Sequence, residues 1–261
     1  MAQTIERERS VAPASAPLKP MAGNGMGSRL VLGQGSGLDA LDPFLALMHD
    51  DVPPHVMFPT HPHRGVEIIT YGVGGGLYHE DTLGNSGTVV AGGVERNLFG
   101  RGFAHSEQPV GGEHYRGFQL FIHLSPEDRE MDPSFQLLGP EDVPEVTESG
   151  TVVRVIAGEY GGQRSPVELR NPTLYLDVQT APGESVDVPI PTDYEGLVYV
   201  ITGQGQFGTT GVSAAANQRM TLGPGETLKV SAIAGADEAN GGRDPLRFIL
   251  ISGRPIFQRR D

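Results

Sequence analysis

Cysteine is absent from this 261-residue chain, so no disulfide framework, thiolate metal site or thiol switch is available. Any bound metal must rest on imidazole or carboxylate. Basic residues are scarce as well: 19 Lys and Arg stand against 32 Asp and Glu, a formal charge of −13. Without a basic stripe to displace counterions from a phosphate backbone, the charge argues against direct nucleic-acid binding. No apolar run approaches the ~20 residues of a helical membrane span, and the N-terminus lacks the charged-then-apolar order of a signal peptide. These absences predict a cytoplasmic protein with no membrane partner. Long Ala/Leu/Glu/Lys stretches are missing too, whereas 37 glycines and 21 prolines are present. That balance predicts an all-β architecture of short strands and turns, and the length suits two modest domains.

Residues 1–27 are rich in Ala, Pro, Ser and Gly without periodicity, which predicts a flexible arm or an extension covering a sheet edge. Within residues 28–130, Val66–Val73, Thr88–Val90 and Phe118–Leu124 read as strands, with hairpin chemistry at Leu83-Gly84-Asn85-Ser86. Acidic residues and prolines interrupt the pattern from Ser125 to Gly150, which predicts a linker over 131–150 and one short helical turn. A second β-rich block covers 151–261, with candidate strands Thr151–Ile156, Thr173–Val178, Ser185–Val188, Leu197–Thr202, Thr221–Leu222, Thr227–Val230 and Leu246–Ile251. The segment Tyr71–Tyr78 matches Tyr199–Gln206 in its strand-turn-strand grammar, a weak sign of internal duplication.

All eight histidines fall between His49 and His123, and the second half has none. Alternate side chains of a strand share a face, so His61 and His63 form one two-pronged clamp and His105 and Glu107 another. His63 and His105 stand 42 positions apart, room for a few short strands that barrel closure would fold back so that the clamps meet across the interior. A lone histidine is more often a satisfied core or surface residue, and His49, His55, His114 and His123 keep that reading; His79 is singled out as a cavity or ligand-supporting group. The i, i+4 spacing of a helical zinc site does not occur. Imidazole with carboxylate suits Fe(II), Ni, Cu, Mn or Zn. By parity Glu67 is a second carboxylate that could face the same interior.

The segments His61-Pro62-His63-Arg64-Gly65-Val66-Glu67, His79-Glu80-Asp81-Thr82-Leu83-Gly84-Asn85 and Gly100-Arg101-Gly102-Phe103-Ala104-His105-Ser106-Glu107 resemble the pirin family of cupins. Leu41–Leu45, Gly117–Leu120, Arg154–Gly158 and Ser252–Pro255 extend the resemblance over roughly Leu41 to Pro255. It implies two tandem jelly-roll-like cupin barrels: an N-terminal one holding a single mononuclear divalent metal, Fe(II) by expectation, and a metal-free C-terminal partner. It also implies His61, His63, His105 and Glu107 as the ligands, leaving Glu67 a buried hydrogen-bonding role. Bacterial members are associated with quercetin 2,3-dioxygenase activity. The resemblance therefore implies a small aromatic substrate and O2, with Glu107 as the catalytic residue and Phe99 and Phe103 beside the site. The alternative it implies is a metal- or redox-responsive regulator that binds a transcription factor or metabolic enzyme. A monomer is expected. The chain departs from the family pattern at Gly93 and in the polar run Glu95-Arg96-Asn97-Leu98-Phe99, where a different pocket wall is expected. It also stops soon after Phe257, without the longer extension of many relatives, and looser domain packing or pocket closure is expected from that.

Overall fold

The computed structural model describes residues 7–21, 25–234 and 244–257. These contain strands, one 3-10 turn at Asp128–Glu130 and no α-helix. The chain forms two units, each a cupin barrel built from two antiparallel sheets.

The N-terminal unit comprises, among the described residues, 19–21, 25–143, 166–172 and 256–257. Its strands are β1 (Arg29–Leu32), β2 (Phe44–Val52), β3 (Phe58–His63), β4 (Val66–Gly74), β5 (Gly76–Asp81), β6 (Ser86–Val90), β7 (Val94–Leu98), β8 (Phe103–Val110), β9 (Tyr115–His123) and β10 (Ser134–Leu138). One sheet runs β1-β2-β9-β4-β7-β10 and the other β3-β8-β5-β6. β3 carries Pro59 and Pro62, which cannot donate to a ladder and are tolerated because β3 lies on an edge. The connection from β3 to β4 turns at Arg64-Gly65, with Gly65 at φ 69°, a conformation that L side chains rarely adopt.

The C-terminal unit takes residues 7–18, 144–165 and 173–255. Its strands are β11 (Glu145–Glu148), β12 (Thr151–Ala157), β13 (Glu159–Tyr160), β14 (Gln163–Arg164), β15 (Thr173–Thr180), β16 (Ser185–Pro189), β17 (Glu195–Thr202), β18 (Gln204–Phe207), β19 (Val212–Ala215), β20 (Arg219–Thr221), β21 (Thr227–Ala232) and β22 (Leu246–Gly253). Sheets β11-β12-β15-β22-β17-β20 and β16-β21-β18-β19 enclose a core of Val153, Val155, Leu176, Val198, Phe207, Leu228, Phe248 and Leu250. Inward positions alternate with exposed ones along β16 and β21, the pattern of a sheet with one wet face.

One expectation changes here, and another resolves between its two alternatives. The stretch read as a linker contributes β10, which pairs with β7, and β11, which pairs with β12. Both are short, partly polar strands at sheet edges, where one neighbour suffices and little apolar pattern is needed. Of the two readings of the N-terminal stretch, a flexible arm or an extension covering a sheet edge, residues 7–18 take the second, hydrogen-bonded along the C-terminal barrel beside the edge strand β20. Arg9 N donates to Thr227 O at 2.7 Å, Ala12 N to Thr221 O at 2.9 Å, and Gly223 N to Ser10 O at 2.9 Å. Arg9 is 1% exposed, and its guanidinium donates to the carbonyls of Tyr194 (3.2 Å), Gly223 (2.9 Å) and Pro191 (2.8 Å). A side chain at Gly225 would collide with the Arg9 backbone, with Cβ only 2.2 Å from Cα. Replacing Arg9 with methionine keeps an apolar stem but removes the guanidinium donor from the part-buried carbonyls of Tyr194 and Gly223, while Pro191 O keeps the N–H of Tyr194 at 3.1 Å. The variant should lose on the order of 3 kcal/mol, read from a denaturant titration.

Candidate metal centre

The expected ligands lie on the inner face of β3-β8-β5. His61 pairs across the ladder with His105, Asp81 flanks His105 on the other side, and Glu107 lies between Phe58 and His79. Directly opposed side chains sit about 5 Å apart at Cβ, so strand register alone gathers these groups into two rows. Gly100 (φ 46°) and Gly102 (φ 110°) form the tight turn that aims β8, which accounts for the Gly-Arg-Gly segment ahead of Phe103.

The side chains form two overlapping triads. Ligand-type atoms of His61, His63 and His105 lie within 4.8 Å of one another, and so do those of His79, His105 and Glu107. His105 is common to both. The first triad is half-buried at His61 and His63 and closed at His105; the second is buried throughout. Among the described residues, no such group occurs in the C-terminal unit.

Each histidine is oriented differently. His61 Nδ1 contacts Pro59 O at 2.8 Å, a donation to a carbonyl that leaves Nε2 free. His63 stands edgewise against Phe99 (4.8 Å between ring centroids) and Phe121 (5.8 Å). His105 Nδ1 lies 3.3 Å from His79 Nδ1, while its Nε2 is buried without a hydrogen-bond partner.

Burial, reinforced by the neighbouring His61, lowers the pKa of His63 to about 4. Burial and the charges of His61, His79 and His63 lower that of His105 to about 3. Both rings are therefore neutral at pH 7, the form that binds metal. Glu107 is pushed up to about 8 by burial and by the Glu95 charge, although Gln119 Nε2 donates to both of its oxygens at 2.9 and 3.0 Å. Asp50, also buried, is raised to about 6. For His79, burial opposes the charge, but the hydrogen bond and charge of Glu95, with the charge of Glu107, outweigh it and raise the pKa. The neutral rings of His63 and His105, with His105 Nε2 buried and without a hydrogen-bond partner, next to carboxylates held above their usual range, fit a divalent cation.

These shifts fix a pH response of the metal-free protein. His63 is depressed from 6.5 to about 4, so the fold loses stability as pH falls through that window. Glu107 is raised from 4.5 to about 8, so its contribution is lost in the opposite direction, as pH rises. Metal-free His63→Gln should therefore lose less stability than the unmutated protein between pH 7 and pH 5, measured by urea midpoints.

Four histidines keep their ordinary roles. His49 stacks on Phe118 (4.6 Å), His114 meets Asp51 (2.9 Å), His123 lies edgewise to Phe257 (5.4 Å), and His55 is exposed. Phe99 and Phe103 stack at 4.1 Å and form an apolar cluster with Ile68 beside the first triad. Glu67 does not share the site. The turn at Arg64-Gly65 breaks the parity of β3, and Glu67 lies on the other face of β4 from Ile68, bound to Arg96 through Nε (2.6 Å) and Nη2 (2.6 Å). Glu95, Asn97 and Gln119 were not identified as site groups by spacing. The polar run at 95–99 is the signal for Glu95 and Asn97, which stand opposite the inward Thr70 and Ile68.

A family model described as "Pirin" matches residues 27–122, and one described as "Pirin C-terminal cupin domain" matches 175–260. A "Pirin-like protein" of Solanum lycopersicum is 40% identical over 84% of this chain and 73% of its own length. "Pirin" of Homo sapiens is 34% identical over 84% of this chain and 74% of its own. Among solved structures, GK1651 from Geobacillus kaustophilus superposes with a TM-score of 0.86 at 28% identity, covering 97% of this chain and 99% of that one. A structure titled quercetin 2,3-dioxygenase from Acinetobacter baumannii gives 0.82 at 22% identity over 96% and 88%. The bacterial pirin YhhW of Escherichia coli in complex with nickel(II) gives 0.67 at 19% over 90% and 95%.

Proposed function

The chain belongs to the pirin family of cupins, and from that premise we propose that it is a metal-dependent dioxygenase acting on a flavonol-like aromatic in the cytoplasm. The observation that carries this reading is the His61–His63–His105 triad, half-open on one side, with the Phe99–Phe103–Ile68 cluster beside it. His61, His63, His105 and Glu107 would hold one divalent ion, Fe(II) by preference. The fold shared with a protein named as a quercetin 2,3-dioxygenase, and the nickel(II) complex of a bacterial pirin, support the same class.

Bound there, the ion would supply a Lewis acid for an acidic hydroxyl of the substrate. The rest of the chemistry belongs to the chain. Phe99, Phe103 and Ile68 offer an apolar wall to an aromatic ring and keep water from it. Glu107, with Gln119 donating to its oxygens, would either stay on the ion or accept the proton released by the substrate. His61 and His63, the half-buried members, lie on the side from which a substrate can approach.

The test is anaerobic reconstitution with Fe(II), Ni, Cu, Mn and Zn separately, followed by oxygen uptake and carbon monoxide release on a flavonol panel. Oxygen-dependent turnover that scales with metal occupancy is expected. Full occupancy without turnover on any flavonol would overturn the enzyme reading and favour the metal-responsive regulator.

A further inference from the structure

Resting on the reading of His61, His63 and His105 as ligands, we propose that His79 is the positioning residue that sets the ring of His105, and that Glu95 and Asp81 hold His79 in place. An imidazole has two nitrogens and can present either to an ion. A ligand histidine is defined by what its other nitrogen contacts. In His61 that contact is the Pro59 carbonyl. For His105 no carbonyl plays this part: its Nδ1 faces Nδ1 of His79 at 3.3 Å, while Nε2, buried and without a hydrogen-bond partner, is left for the space beside His61 and His63.

His79 is itself fixed on three sides. Its Nδ1 also lies 3.1 Å from Glu95 Oε1, which accepts from Asn97 Nδ2 at 2.6 Å; to accept from His105 Nδ1–H, His79 carries its proton on Nε2, and Glu95 then flanks the ring as a neighbouring contact. Its Nε2 makes no hydrogen bond but lies 3.5 Å from Asp81 Oδ2, an electrostatic contact, and its ring stacks on Phe135 at 5.0 Å. Asp81 is immobilised in turn, because Oδ1 accepts from the backbone of Leu83 (2.8 Å) and Asn85 (2.9 Å) and Oδ2 from Asn85 Nδ2 (2.8 Å). The segment His79–Asn85 is thereby a rigid bracket: its Asx-type loop anchors Asp81, Asp81 backs His79, and His79 backs His105. His79 is 0% exposed and Glu95 1%, so neither has a solvent role that would explain an ionisable residue there.

Nickel(II) is a suitable probe, read by competition with a chelator and by the ligand-field spectrum of the bound ion. His79→Phe keeps the ring and its stacking on Phe135 but removes both nitrogens. It should weaken nickel binding by about 10–100-fold and shift the ligand-field bands. His79→Gln, which restores an amide that can engage His105 Nδ1, should recover most of the affinity. Glu95→Gln should shift the bands with a smaller affinity loss, and it tests the same point if His79→Phe does not fold. Unchanged affinity and spectrum in all three variants, with metal lost in His105→Ala, would overturn the positioning role and spare the ligand reading. Two nickel ions per unmutated chain, one of them lost in His79→Phe, would overturn it differently, by making His79 a ligand. Retention of nickel in both His61→Ala and His105→Ala would sink the ligand reading itself, and the proposal with it.

Discussion

Replacing His105 with alanine should remove stoichiometric metal from the protein while both barrels stay folded. His105 belongs to both triads, and its Nε2 is the buried nitrogen left without a hydrogen-bond partner beside His61 and His63. Its loss therefore takes the shared corner from either arrangement. Metal affinity should fall by more than about 100-fold, beyond the range typical for a residue that only supports a ligand. The fold should survive because β8 is held by ladders to β3 and β5, and the C-terminal barrel has its own apolar core. Elemental analysis after dialysis reads the first expectation and circular dichroism the second. Alanine variants that keep one metal per chain would refute the site, and variants that lose their strands would make the metal structural.

The second large effect concerns Glu67, and it should appear in stability with no change in metal. Glu67 is 0% exposed; its carboxylate bonds the Arg96 guanidinium and accepts from the backbone N–H of Arg170 at 3.1 Å. Burial raises its pKa, and Arg96 opposes that rise. Arg96 is anchored further by Ser134 Oγ at 2.6 Å. Glu67→Ala strands a guanidinium that is 7% exposed, a change that costs about 3–5 kcal/mol when one partner of a buried ion pair is removed. Denaturant unfolding of Glu67→Ala should show that loss, with nickel or iron content unchanged. The companion comparison is Glu107→Gln, which should alter the spectrum of the bound ion where Glu67→Gln does not. The reverse pattern would exchange the two assignments.

These two glutamates show how far the sequence could be read. The clamps at His61/His63 and His105/Glu107 were legible because strand periodicity is local: two residues apart means the same face, whatever the rest of the chain does. Glu67 has the same arithmetic relation to His63, yet it points away, because Gly65 at φ 69° interrupts the strand and resets the count. Parity holds only within an unbroken strand. The pairing of His79 with Glu95 was beyond reach for another reason. It depends on the fold bringing β5 and β7 together, and nothing local reports that. β10 and β11 escaped because they are edge strands held by backbone hydrogen bonds, which leave little trace in side-chain pattern.

The docking of residues 7–18 sets the order in which the protein can be completed. Arg9 and Ser10 find their partners at Pro191, Tyr194, Gly223 and Thr227, about 180–220 positions later in the chain. On a ribosome the strap emerges ahead of both barrels and must wait for nearly the last strands before its guanidinium has carbonyls to hold. Closing so long a loop costs entropy before any contact repays it, which places this step late in folding. The C-terminal barrel is consequently finished by a segment that precedes both barrels in the chain. A fragment begun at residue 150 would reach the cell without its own seal, and a bulky fusion placed directly before Arg7 would burden the barrel farthest from it in sequence.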